Sequence, residues 1–212
     1  MTLTRMLPAS PAPAGLDELL KALASGVPSR QIPAIQELSR RGTKEAVGPL
    51  LRVLEASKIE VRRKTVRALG QLKAPEAFPA LLAALQDADA GVRWEAAWAL
   101  GELGLVEATE PLLLHLEDPQ KNVRWSAARA LGRLKSERAI PALSKLARES
   151  DADLREAAIW ALGEVGGKVD VEALVQALAD ERENVGQAAE VALLKIGMPA
   201  QSSLVKALQD PD

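Results

Sequence analysis

The chain contains no cysteine and no tyrosine, one histidine and one phenylalanine. Without cysteine there is no disulfide frame, no thiolate nucleophile and no sulfur ligand for a metal. With His115 as the one imidazole, a metal centre would have to be all carboxylate. Ser126, Ser144 and Ser202 have no histidine near them in the sequence to activate a hydroxyl. A dominant sign of charge is missing too. Lys and Arg number 27 against 29 Asp and Glu, a net −2 over 212 residues. With a pI near 5.7, that argues against nucleic acid, whose phosphates call for a basic footprint. No apolar run approaches the ~20 residues of a membrane span. Residues 1–15 lack the apolar segment of a secretion signal, so they are expected to form a flexible leader on a cytoplasmic protein. No alternating pattern marks a strand, and no glycine-rich phosphate loop follows one.

What is present is repetition. The phrase VRWEAAWALGEL at 92–103 returns as VRWSAARALGRL at 123–134 and LREAAIWALGEV at 154–165, 31 residues apart each time. VRRKTVRALGQL at 61–72 and VGQAAEVALLKI at 185–196 sit at the same interval. A fixed period of this size signals a repeat architecture. With the first residue of the phrase as offset zero and about 100° of turn per residue, offsets 0, 4, 7, 8 and 11 form one apolar arc. In the 92–103 copy they are Val92, Ala96, Ala99, Leu100 and Leu103. Glycine recurs at offset 9 (Gly70, Gly101, Gly132, Gly163), which predicts either crowding by the next helix or the start of unwinding.

The opposite arc carries offsets 2 and 6: Arg63 and Arg67, Trp94 and Trp98, Trp125 and Arg129, Glu156 and Trp160, then Gln187 and Val191. All four tryptophans of the chain fall there. Large apolar rings are usually buried, so packing against another part of the chain is one reading. The favoured one is an exposed aromatic strip for recognition, whose truncation would scarcely alter stability. Glu95, Glu102 and Glu164, at offsets 3 and 10, are expected to be solvated helix charges at its rim, and His115 to be open or partly covered.

Each signature helix, B, is preceded by a shorter helix, A, at 46–54, 77–85, 109–116, 139–146 and 171–178, with another at 200–208. Proline stands near several starts (Pro49, Pro79, Pro111, Pro141, Pro199), where its missing N–H costs nothing. Turns such as Asp118-Pro-Gln-Lys-Asn separate A from B. The segment 30–41 keeps the interval but lacks the Ala-Leu-Gly, as a capping unit would. At the far end Asp210-Pro-Asp repeats a turn, and the chain stops where a B helix would begin.

Taken together, Pro79-Ala-Leu-Leu, Asp87, Val92-Arg93, Ala96-Ala97 and Ala99-Leu100-Gly101, with near-copies in the following units, resemble HEAT repeats of the short phycobilisome-lyase type. The resemblance covers about 16–212 and is densest over 61–165. It implies an acid–arginine ladder tying successive units, here Asp87 with Arg93, Asp118 with Arg124 and Glu149 with Arg155, lapsing towards both ends.

The expected architecture is an all-α, right-handed solenoid of about six helical hairpins: 16–42, 43–73, 74–104, 105–135, 136–167 and 168–197, with a terminal helix over 198–212. The expected function is a non-catalytic scaffold or adaptor. It would bind another protein or peptide on a concave face through Arg63, Arg67, Trp94, Trp98, Trp125, Arg129, Glu156 and Trp160, with no cofactor, metal or membrane. Two rivals follow from the resemblance together with the tryptophan-lined face, which could hold a flat ring system. One is a bilin lyase subunit or other tetrapyrrole-handling protein, the other a HEAT-like DNA glycosylase, which the acidic balance disfavours.

Overall fold

Twelve α-helices follow one another in the computed structural model, which describes residues 14–56, 58–167, 169 and 171–197; no strand occurs among them. They pair as six hairpins: α1 (Leu16–Ala24) with α2 (Pro28–Arg40), α3 (Val47–Ala56) with α4 (Ile59–Leu72), and α5 (Phe78–Ala84) with α6 (Ala90–Leu103). Then come α7 (Thr109–Leu114) with α8 (Lys121–Arg133), α9 (Ile140–Leu146) with α10 (Ala152–Val165), and α11 (Val171–Ala177) with α12 (Glu183–Ile196). The leader and the terminal helix expected beyond these bounds lie outside the described residues. Four A helices are entered through a 3₁₀ turn (44–46, 75–77, 106–108, 137–139) that the apolar period does not announce. Each turn ends on a fully buried alanine (Ala46, Ala77, Ala108, Ala139), which draws the chain into the core before the α-helix begins.

Successive B helices pack closely along one row, whereas successive A helices touch much less. Glycine at offset 9 makes the close row possible. A Cβ on Gly101 would fall 2.8 Å from the Ala130 Cα, and one on Gly163 would fall 2.6 Å from the Ala192 Cβ. Crowding therefore explains these glycines. All four lie within the last turn of their helices, which end one or two residues later.

The buried arc is wider than offsets 0, 4, 7, 8 and 11. Offset 5 (Val66, Ala97, Ala128, Ile159) is also sealed, because each interior B helix meets its own A helix and a B helix on both sides. Offset 3 is buried in the middle of the array as well, at Glu95 and Ser126. Glu95 was expected in solvent; it is only 4 % exposed. Its neighbour α4 leans over it, leaving the carboxylate one outlet, Arg67. The Ser126 hydroxyl donates to the Trp94 carbonyl at 2.9 Å, tying α8 to α6.

His115 also departs from expectation. α7 is short and tightens into a 3₁₀ turn at 115–117, which swings the imidazole inward. It is buried, with its ring nitrogens 2.8 Å from the carbonyl oxygens of Pro111 and, in the preceding hairpin, Leu85. His115 is thus a pin between two units.

The ladder exists in a different register. Arg62 reaches forward 25 residues to both oxygens of Asp87 (2.8 and 2.9 Å). Arg93 does the same to Asp118 (2.8 and 3.0 Å), and Arg155 to Asp180 (2.7 and 2.8 Å). Residues six apart meet only through the backbone: Arg93, Arg124 and Arg155 donate to the carbonyls of Asp87, Asp118 and Glu149, each at 2.9 Å. The acids also shape their turns, since Asp87, Asp118 and Asp180 accept from the N–H two residues on. The ladder therefore does not lapse at Arg62 or Asp180. Its missing rung is central, where Arg124 would meet Glu149, whose longer side chain remains exposed. These arginine bonds hold Asp87 and Asp180 below the usual carboxylate range. At Asp118 burial pushes upward, but Arg93 and the Gln120 N–H together outweigh it.

Candidate functional site

Offsets 2 and 6 lie on the far side of each B helix from the stripe that meets its A helix, so consecutive B helices carry these residues in one band. Arg67 on α4 extends over α6, its guanidinium carbon 6.0 Å from the centre of the Trp94 ring and 5.2 Å from that of Trp98. Two units on, Arg129 of α8 lies between Trp125, four residues earlier on its own helix, and Trp160 of α10, at 5.5 and 3.5 Å. Each Arg–Trp contact is worth about 0.5–2 kcal/mol, more as it is desolvated.

The rings are half-buried. Trp98, Trp125 and Trp160 pack against the edge of the core. The reason lies in the glycines: a Cβ on Gly70 would come 3.0 Å from a ring carbon of Trp98, and one on Gly132 would come 2.8 Å from a ring carbon of Trp160. At these two interfaces the indole of one unit covers the glycine of the unit before. Part of the Trp98 and Trp160 rings is therefore structural, which corrects the expectation of a strip wholly independent of stability.

The eight expected residues divide accordingly. Arg67, Trp94 and Trp98 form one cluster, and Trp125, Arg129 and Trp160 a second. Arg63 is exposed and crosses the helix start at Gly91, where a Cβ would fall 2.7 Å from its Nε. Glu156 is turned to the next unit, accepting from Asn184 at 2.6 Å. Sequence reasoning put Glu95 at the solvated rim and missed its burial beside Arg67. Arg67 donates from Nη1 to both its oxygens at 3.3 Å, and burial still pushes its carboxyl above the usual range. The signal that could have found it is acid at offset 3, where the two units that follow hold serine and alanine. At the rim, Glu102 bridges Lys73 (3.7 Å) and Arg133 (3.0 Å), and Glu164 pairs with Lys195.

Among the described residues no group of three or more His, Asp or Glu is placed to hold a metal ion, and no helix is long and apolar enough to cross a membrane.

No curated protein matches the chain significantly. Solved structures do. The complex of CpcE and CpcF of phycocyanin lyase from Nostoc sp. PCC7120 superposes with a TM-score of 0.71 at 26% identity, over 93% of this chain and 83% of that one. A designed armadillo repeat protein in complex with the peptide (KR)4 gives 0.70 at 21% identity, over 87% of this chain and 100% of that one. YibA of E. coli gives 0.66 at 23% identity, over 94% and 77%. The latter two show a shared repeat-solenoid fold. The family model of HEAT repeats matches residues 16–101, 49–119, 109–194 and 146–212, so that its copies overlap along nearly the whole chain. An α-solenoid of helical hairpins whose units match that model end to end belongs to the HEAT-repeat family.

Proposed function

We propose that the chain is a non-catalytic scaffold that binds another protein along the B-helix row. The observation that carries this reading is the interleaving of all four tryptophans with Arg67 and Arg129 across four successive B helices. Tryptophan and arginine are the side chains most enriched at binding hot spots, and half-buried rings are held ready at little further entropic cost. In this reading the B row lines the concave side of the solenoid and offers the strip to the partner. Arg63, Glu156, Glu102 and Arg133 supply its polar border.

Solved repeat proteins of this shape support a binding role: one holds a peptide, and CpcE and CpcF form a complex with each other. The test is capture of partners from cell extract by wild type and by a Trp94→Ala/Trp125→Ala double variant. A partner retained by the wild type and lost by the variant is expected. A partner set unchanged by the substitutions would discard the strip.

A second reading, a tetrapyrrole-handling lyase subunit, draws on the likeness to CpcE and CpcF. The strip would then lie against a flat conjugated ring system. Mixing with a bilin and recording absorbance separates the two, since a bound chromophore shifts its band and a protein-binding scaffold leaves it in place.

A further inference from the structure

Arg67 and Arg129 stand at the same offset two units apart, and each stacks on the tryptophan at offset 6 of the next helix. They differ in what completes them. At Arg67 the acid comes from offset 3 of the following helix, where Glu95 takes two bonds from Nη1. At Arg129 the corresponding residue is Ala157, which has no polar atom to offer. No carboxylate bonds Arg129 among the described residues; Glu156 is held by Asn184 and Glu164 by Lys195. Its Nε is buried without a partner, so the terminal Nη groups are the end left open. Two indoles hold the guanidinium in place, which removes much of the entropic cost of engaging a ligand.

We infer that the Trp125–Arg129–Trp160 cluster is a receptor for an acidic side chain on the bound partner, an Asp or Glu next to an apolar or aromatic residue. Its carboxylate takes at Arg129 the place that Glu95 takes at Arg67, and the neighbouring apolar group lies on the indole rings. This rests on the scaffold reading and goes further, naming the partner's anchor and the residue that receives it. The charge fits. Arg67 is already neutralised by its own acid, whereas Arg129 carries a cation that burial works against, and a carboxylate would relieve that.

The probe is an acetylated and amidated tripeptide, Phe-Glu-Leu, compared with Phe-Gln-Leu and followed through the arginine Nε–Hε resonances in NMR titrations of the full chain. The glutamate peptide is expected to bind wild type at least tenfold more tightly than the glutamine peptide and to move the Arg129 signal. Ala157→Glu, which builds the missing acid into the chain, should abolish that preference. Because Ala157 is buried, that variant could fail to fold, so Glu95→Ala is the second arm. It should open an equivalent slot at Arg67, move the Arg67 signal as well and raise the stoichiometry from one peptide to two. Equal binding of both peptides, binding of neither, or an Arg129 signal unmoved at saturation would overturn the inference. Equal binding that still depends on the tryptophans would leave the scaffold reading standing, and partner capture tests that reading on its own.

Discussion

Gly101 and Ala130 stand so close that a Cβ on the glycine would lie 2.8 Å from the alanine's Cα and 2.9 Å from its Cβ. The same contact joins Gly70 to Ala99, Gly132 to Ala161 and Gly163 to Ala192, so one small-residue pair per interface sets the spacing of the B row. On helix propensity alone, Gly101→Ala would stabilise by about 1 kcal/mol. Here the added methyl meets backbone, and the row must open. We expect a net loss of about 1–3 kcal/mol in urea unfolding. An unchanged or raised midpoint would refute this account of the spacing.

Arg93 and Asp118 are 14 % and 5 % exposed at their side chains, so their ion pair is largely out of water. Arg93→Ala leaves a covered carboxylate unpaired and should cost about 2–3 kcal/mol, between a surface and a fully buried pair. Arg124→Ala removes only bonds to the Asp118 and Pro119 carbonyls and should cost about 1 kcal/mol or less. Glu149→Asp places the shorter acid of the other rungs opposite Arg124 and should recover stability if it completes the ladder. Chemical denaturation of the three variants checks the order.

Asp87 and Asp180 titrate below their ordinary value because Arg62 and Arg155 bond the charged form. A carboxyl that is more acidic folded than unfolded binds fewer protons in the native state. Its stabilisation is complete above the unfolded value of about 3.9 and is lost as pH falls through the folded one. The urea midpoint should therefore decline below about pH 4. Asp180→Asn should be less stable at pH 7 and lose less between pH 7 and pH 3 than wild type does. Parallel pH profiles would show that this pair contributes nothing.

Trp98 lies partly over Gly70, so Trp98→Ala should cost about 1–3 kcal/mol of stability, less than truncation of a fully buried ring. If the ring is also a binding hot spot, partner affinity should fall by at least about 2 kcal/mol. Calorimetric melting and a binding titration on one preparation separate the two effects. A melting temperature identical to wild type would contradict the packing described.

The helical period, the apolar stripe, the six-hairpin order and the alignment of every tryptophan on one arc could all be read from the chain, because each follows from spacing within a single helix. Glycine at offset 9 was visible as an anomaly, and packing chose between its two explanations. What spacing could not decide depends on the neighbouring unit. Arg93 sits six residues from Asp87 in sequence, yet its guanidinium bridges to Asp118, because the next unit's turn brings that carboxylate alongside. Glu95 has the look of a surface charge but is buried, since its exposure depends on the helix before it. His115 turns inward because a short A helix tightens before its end and points the ring at a carbonyl 30 residues back. Arg67 and Arg129 are interchangeable by position, and only the side chain that the following helix sets against each makes one complete and leaves the other open. Period and register belong to the chain itself, whereas burial and charge pairing arise between units, where only the stacked structure places the partners.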